Sequence, residues 1–126
     1  MKVISTPSAP QPVAAYSQGI VANGFVYTAG QVGLDVASGL LVDGIEAQAE
    51  RALTSVKNII EAAGLSVADI VKVTIFVTDL SKFALVNAVY ARFVGDHRPA
   101  RSTVGVAALP LGAMIEVEAI AAQPSA

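Results

Sequence analysis

In a chain with few charges, Arg101, Glu116 and Glu118 stand close together in one stretch, Pro99 to Ala121. A guanidinium grips a carboxylate with two parallel hydrogen bonds. A carboxylate can take a proton from water near neutral pH. The stretch reads as two strands around one turn, Leu109-Pro110-Leu111-Gly112. Proline pre-sets the second turn position and glycine suits the fourth. Val104 and Val106 alternate with Thr103 and Gly105. Beyond the turn, Ile115, Val117, Ala119 and Ala121 alternate with Met114, Glu116, Glu118 and Ile120. Period-two alternation marks a strand with two different faces, so Glu116 and Glu118 leave the same face. The plain alternatives are an arginine paired at a subunit contact and two glutamates on a solvated strand face.

Upstream elements must position this stretch. Lys2-Val3-Ile4 reads as a short edge strand. Asn23-Gly24 between Ile20-Val21-Ala22 and Phe25-Val26-Tyr27-Thr28 is a hairpin signal, since both turn residues need positive φ. Ala29-Gly30-Gln31 then runs into a loop through Gly33 and Gly39. A helix is expected over 43–63, capped by Asp43 with Glu46 three residues on and ended by Gly64. Ile70–Thr78 reads as a strand with Val71, Val73, Ile75 and Val77 on one face. A second helix covers 81–94, with Phe83, Val86, Tyr90 and Phe93 as its apolar stripe, and Gly95 closes it. Right-handed crossovers place both helices on one side of a mixed sheet. The other face carries Phe76 and Tyr27 and calls for cover by another subunit.

Of the 126 residues, 54% are hydrophobic and 14% charged, which is more apolar than a typical soluble domain. No run is long enough to span a bilayer and no signal peptide is evident, so burial between subunits accounts best for the excess. The net charge of −2 and the lack of a basic cluster argue against nucleic-acid binding. With no cysteine, thiol nucleophiles and thiolate metal sites are excluded. His97, the single histidine, reads as a solvated loop residue and cannot build a multi-histidine metal site. The plain reading is one domain over 1–126 in a soluble, cytoplasmic protein.

Several ordered motifs resemble the reactive intermediate deaminase (RidA/YjgF) family over nearly the whole chain. They are Pro99-Ala100-Arg101-Ser102-Thr103, Val106-Ala107, Leu109-Pro110 and Ile115-Glu116-Val117-Glu118-Ala119-Ile120-Ala121, supported by Tyr16-Ser17-Gln18-Gly19, Ala29-Gly30-Gln31, Glu61-Ala62-Ala63-Gly64 and Phe83-Ala84-Leu85-Val86-Asn87 with Tyr90. The resemblance implies an α+β, chorismate-mutase-like fold. Its six-stranded mixed sheet carries two helices on one face, in a homotrimer with clefts between subunits. It implies hydrolysis of short 2-imino acids, formed from 2-aminoacrylate-type enamines, to 2-oxo acids and ammonia, with no cofactor and no metal.

By the same resemblance Arg101 grips the substrate carboxylate and Glu116 handles the attacking water. Tyr16, Asn87 and Phe83 line the pocket, Gly30 brings backbone near the ligand, and Thr103 neighbours the site. Two positions depart from the family pattern: Ala29 stands where serine is common, and Thr103 where some members carry cysteine. Phe83 also belongs to the helix stripe and so fits a core position. Two alternatives remain open at this stage: a non-catalytic trimer that binds small carboxylates, and a deaminase for another enamine, such as an aminomuconate-type substrate. RNA cleavage, sometimes attributed to the family, is disfavoured by the acidic balance and the lone histidine.

Overall fold

The computed structural model describes residues 1–124; positions 125 and 126, the end of the expected domain, lie outside the described residues. The strands are β1 (Lys2–Ile4), β2 (Gly19–Ala22), β3 (Phe25–Thr28), β4 (Gln31–Val32), β5 (Ile70–Val77), β6 (Ala100–Gly105) and β7 (Ile115–Ala122). The helices are α1 (Ile45–Ala62) and α2 (Phe83–Val94). The strands form one mixed sheet in the order β1-β2-β3-β7-β5-β6, with β4 also paired to β7. It thus has seven strands where six were expected. The extra one, β4, is two residues long, too short for any periodicity to show, and is held by the pairs Gln31↔Val117 and Val32↔Glu116.

The Asn23-Gly24 hairpin forms as expected, with φ of 52° and 80° at the two turn residues. The expected hairpin between β6 and β7 does not. β5 lies between them, parallel to β6 and antiparallel to β7. The Pro110 turn does reverse the chain, with Leu111 at φ 61° and Gly112 at φ 72°, but the loop passes over the end of β5. There the Val106 N–H donates to the Val77 carbonyl at 2.9 Å and the Thr78 N–H to the Met114 carbonyl at 3.2 Å. Inserting β5 is favoured because this apolar strand then satisfies the hydrogen-bonding groups of both its edges.

Both helices pack on one face of the sheet, and the core lies between the two layers. Leu53, Ile59 and Ile60 of α1 and Val86 of α2 meet Val73, Ile75, Ile115 and Val117 of the central strands, all fully or almost fully buried. Each such aliphatic side chain contributes about 1.5–3 kcal/mol through burial. In β5 the alternation is broken by a bulge between Ile70 and Lys72, so both Ile70 and Val73 face the core. Val71, expected on the core face, is turned out to solvent by that extra residue.

The start of α1 also differs from expectation. Its N-cap is Gly44, at φ 87°, with no side-chain cap bond, so Asp43 and Glu46 form no capping box. Buried Gln48 anchors this end instead. Its amide donates to the Val42 carbonyl at 3.1 Å and its side-chain oxygen accepts from the Met114 N–H at 2.9 Å, tying the helix to the approach of β7. The expected glycine endings hold, with φ of 84° at Gly64 and 62° at Gly95. Ahead of α2, the Asp79 carboxylate accepts from the Ser81 N–H at 3.0 Å and caps the single 3-10 turn over Leu80–Lys82. His97, read as solvated, is half-buried, and its Nε2 donates to the Ile70 carbonyl at 2.6 Å. It pins the loop after α2 to the first residue of β5.

Buried Gln18 organises the entry loop. Its side-chain oxygen accepts from the Thr6 N–H at 2.6 Å, and its amide donates to the carbonyls of Thr6 at 3.0 Å and Pro10 at 2.9 Å. One side chain thus holds the segment that leads to Tyr16. The sheet face away from the helices is less well covered: Phe25, Tyr27 and Val104 are exposed there, and Phe76 is half-buried. Phe25 and Tyr27 lie beside one another, with ring centroids 6.3 Å apart. Among the described residues, no helix is long and apolar enough to cross a membrane.

Candidate active site

The residues singled out from the sequence fall into two groups, on opposite faces of the sheet. Arg101 is in register with buried Val73 and therefore lies on the helix side. Glu116 is in register with Phe76 on the other side. Their strands are separated by β5, which adds roughly 10 Å of sheet width between them. Within one chain, Arg101 and Glu116 do not meet.

The first group is built by β6 and α2. Phe83, Asn87 and Tyr90 sit at i, i+4 and i+7, one face of a helix. All three touch the same guanidinium. The Arg101 Nη1 donates to the Asn87 side-chain oxygen at 2.8 Å. The Arg101 Cζ lies 5.2 Å from the centroid of the Phe83 ring and 4.8 Å from that of Tyr90. A cleft of about 430 Å³ opens beside them, lined by Asn87, Tyr90, Arg98, Pro99 and Arg101. Two residues along β6, on the same face as Arg101, the Thr103 hydroxyl is buried without a hydrogen-bond partner among the described residues. The Tyr90 hydroxyl is in the same position. Burial pushes the Tyr90 phenol above its ordinary range, against the pull of Arg101 and Arg98.

The second group surrounds Glu116. A mostly apolar cavity of about 560 Å³ is lined by Tyr16, Gly30, Leu34, Pro110, Leu111 and Glu116, among others. Tyr16 is half-exposed on the loop held by Gln18. Gly30 lies directly under the carboxylate: a Cβ built there would be 2.8 Å from both Cδ and Oε1 of Glu116. A side chain at position 30 would therefore displace that carboxylate. Burial, with the Glu118 charge close by on the same strand, raises the Glu116 carboxyl above its ordinary value of 4.5. A partly desolvated carboxylate over an apolar cavity can hold and deprotonate a water molecule, and a guanidinium held in a cleft can hold a small anion.

The structure thus brings Tyr16, Gly30 and Glu116 together, and separately Phe83, Asn87, Thr103 and Arg101. Phe83, which fits either core or pocket in the sequence, is half-buried and packs on Arg101. The sequence reading places Tyr90 in the core stripe and misses its contact with Arg101. Its spacing from Phe83 and Asn87 is the signal that could have shown it.

A mixed sheet backed by two helices, with an arginine-lined cleft on one side and a glutamate-lined apolar cavity on the other, is an α+β frame with two concave surfaces that could each take a small molecule. The family described as Endoribonuclease L-PSP matches residues 6–123, and the chain belongs to that family. It is 48% identical over 123 residues to 2-iminobutanoate/2-iminopropanoate deaminase of Salmonella typhimurium, covering 95% of this chain and 96% of the relative. Among solved structures it superposes on the YjgF gene product of Escherichia coli with a TM-score of 0.95 at 45% identity, covering 98% of this chain and 100% of the other. It superposes equally well on Escherichia coli TdcF with bound serine, with a TM-score of 0.95 at 42% identity and coverage of 98% and 100%. The resemblance to the reactive intermediate deaminases noted in the sequence therefore holds over almost the full chain.

Proposed function

We propose that this protein is a 2-iminobutanoate/2-iminopropanoate deaminase acting as a homotrimer. The observation that carries the reading is the held guanidinium of Arg101, which leaves N–H donors besides the one bonded to Asn87 for a small carboxylate. Two bonds to the substrate carboxylate fix the orientation of the C=N carbon beside it. Water attacks that carbon and gives its proton to Glu116. The same carboxyl returns a proton to the departing nitrogen, and the products are a 2-oxo acid and ammonia. Because the imine hydrolyses unaided, modest acceleration suffices. Tyr16 and the Gly30 backbone border the Glu116 side of the site, while Asn87, Phe83 and Thr103 border the Arg101 side.

The split between faces supports the trimer. Arg101 and Glu116 act on one substrate only if they come from different chains, and the exposed Phe25, Tyr27 and Val104 face is apolar enough to be the contact. Light scattering is expected to give a mass three times the 12.8 kDa of one chain. A monodisperse monomer with full activity would overturn the split-site reading. We place the enzyme in the cytoplasm, where dehydratase-type reactions would supply its reactive substrates.

The direct test generates 2-aminoacrylate or its homologue from serine or threonine with a dehydratase and follows imine decay. Acceleration by this protein is expected; binding of 2-oxobutanoate without turnover would favour the carboxylate-binding alternative. Ribonuclease activity, suggested by the family description, fits poorly with the net charge of −2 and with a His97 ring nitrogen bonded to backbone.

Two neighbouring glycines separate chemistry from folding. In Gly30→Ala the clash is with the end of a flexible side chain, so the melting temperature should hardly move. Displacing Glu116 should lower kcat on the order of 10-fold to 100-fold. A Cβ at Gly33 would instead lie 2.5 Å from the Cα of Gln48. Backbone on α1 cannot yield, and Gly33→Ala should cost about 1–3 kcal/mol in denaturant unfolding.

A further inference from the structure

We infer that Tyr90 is a positioning residue for the reaction, acting through Arg101 by holding its guanidinium against the ring face. The inference rests on the deaminase reading for its kinetic consequence but on geometry alone for the contact. An arginine side chain is long and loses much rotamer freedom when it is ordered. An arginine left loose would lose that freedom at every binding event, and substrate affinity would fall accordingly. Three groups on one face of α2 prevent this. Asn87 accepts one N–H, Phe83 lies 5.2 Å from the guanidinium carbon, and Tyr90 lies 4.8 Å from it.

Tyr90 is the nearer of the two rings and the more deeply buried, with 6% of its surface exposed, whereas Phe83 is half-buried. A buried ring is itself fixed by the core and offers a stationary face. Cations are attracted to such a face, most strongly where water is excluded. The Tyr90 hydroxyl has no hydrogen-bond partner among the described residues. The ring and its burial carry the role, and phenylalanine should serve as well as tyrosine.

The test compares Tyr90→Phe with Tyr90→Leu in the complete protein, using two independent readouts. The first is the order of the Arg101 Nε–H group measured by NMR relaxation. It should be unchanged in Tyr90→Phe and clearly lowered in Tyr90→Leu. The second is imine hydrolysis: KM should rise roughly tenfold in Tyr90→Leu with kcat within about threefold, since a loosened carboxylate grip weakens ground state and transition state alike. Introduced into Arg101→Ala, the leucine should add almost nothing, whereas a purely structural role would add its full effect. Tyr90→Met, which fills a similar space, replaces the leucine should that variant not fold.

An Arg101 group as ordered in the leucine or methionine variant as in the wild type overturns the inference, and so does a phenylalanine variant as impaired as the leucine one. Absence of imine turnover in the wild type would instead overturn the functional reading, while the relaxation data would still decide whether Tyr90 holds Arg101.

Discussion

Replacing Arg101 with alanine should lower kcat/KM for 2-iminobutanoate at least ~100-fold, equivalent to about 2.7 kcal/mol of transition-state stabilisation. The fold should survive the change. Arg101 lies near the start of strand β6, and its side chain contacts the α2 residues that hold it but is not itself buried in the core. The size of the effect follows from what the side chain would supply in the proposed mechanism: one charge, two oriented donors and a fixed angle for the electrophilic carbon. Arg101→Lys keeps the charge but loses the planar fork and the stacking on Phe83 and Tyr90, and should recover no more than a small part of the activity. Steady-state kinetics with dehydratase-generated imine decides the matter, and an alanine variant of undiminished kcat/KM would remove the proposed site.

The second large effect belongs to Glu116. Glu116→Gln keeps the shape and removes the base, so kcat should fall by about 10² or more, the ordinary worth of general base catalysis. The wild-type rate should also depend on pH with a definite sign. In the proposed mechanism Glu116 must be ionised to accept the proton, so activity should fall as pH drops through its pKa. Burial and the neighbouring Glu118 place that pKa above 4.5, and the acid limb of kcat/KM should lie above the range of an exposed glutamate. In the glutamine variant that limb should disappear. Removing the like charge with Glu118→Gln should move it toward lower pH.

Stability runs in the opposite direction. A carboxyl whose pKa is raised by folding binds its proton more tightly in the native state than in the unfolded one. Its ionisation therefore destabilises the native state progressively as pH rises from the unfolded value through the raised one. Near neutral pH, Glu116→Gln should unfold at a slightly higher denaturant concentration than the wild type. A variant that is more stable and far less active is what a group kept charged for function predicts.

Much of this was legible in the order of residues because it is local. Asn23-Gly24 forms its turn wherever strands flank it, since both φ values are properties of those two residues. The ends of α1 and α2 follow from Gly64 and Gly95 for the same reason. The alternation along β7 assigned Glu116 and Glu118 to one face, because pleating has a period of two whatever the partner strand. What stayed hidden was who lies beside whom. The two strands around Pro110 looked like a hairpin, and nothing in their own residues announces that β5, some thirty positions earlier, takes the place between them. Pairing of that kind is settled by which strand gains most from having both edges satisfied, a property of the whole sheet.

The same distinction governs the site. Residue types marked Arg101, Glu116 and Glu118 as candidates, and the family resemblance implied a carboxylate grip for Arg101 and a water-handling role for Glu116. Only the packed sheet put them on opposite faces, with Arg101 held by Phe83, Asn87 and Tyr90 and Glu116 lying over Gly30. Chemical capacity resides in each side chain, whereas relative position depends on sheet register, on the bulge after Ile70 and on how a helix face meets its neighbour strand, all long-range terms that no single stretch of chain contains.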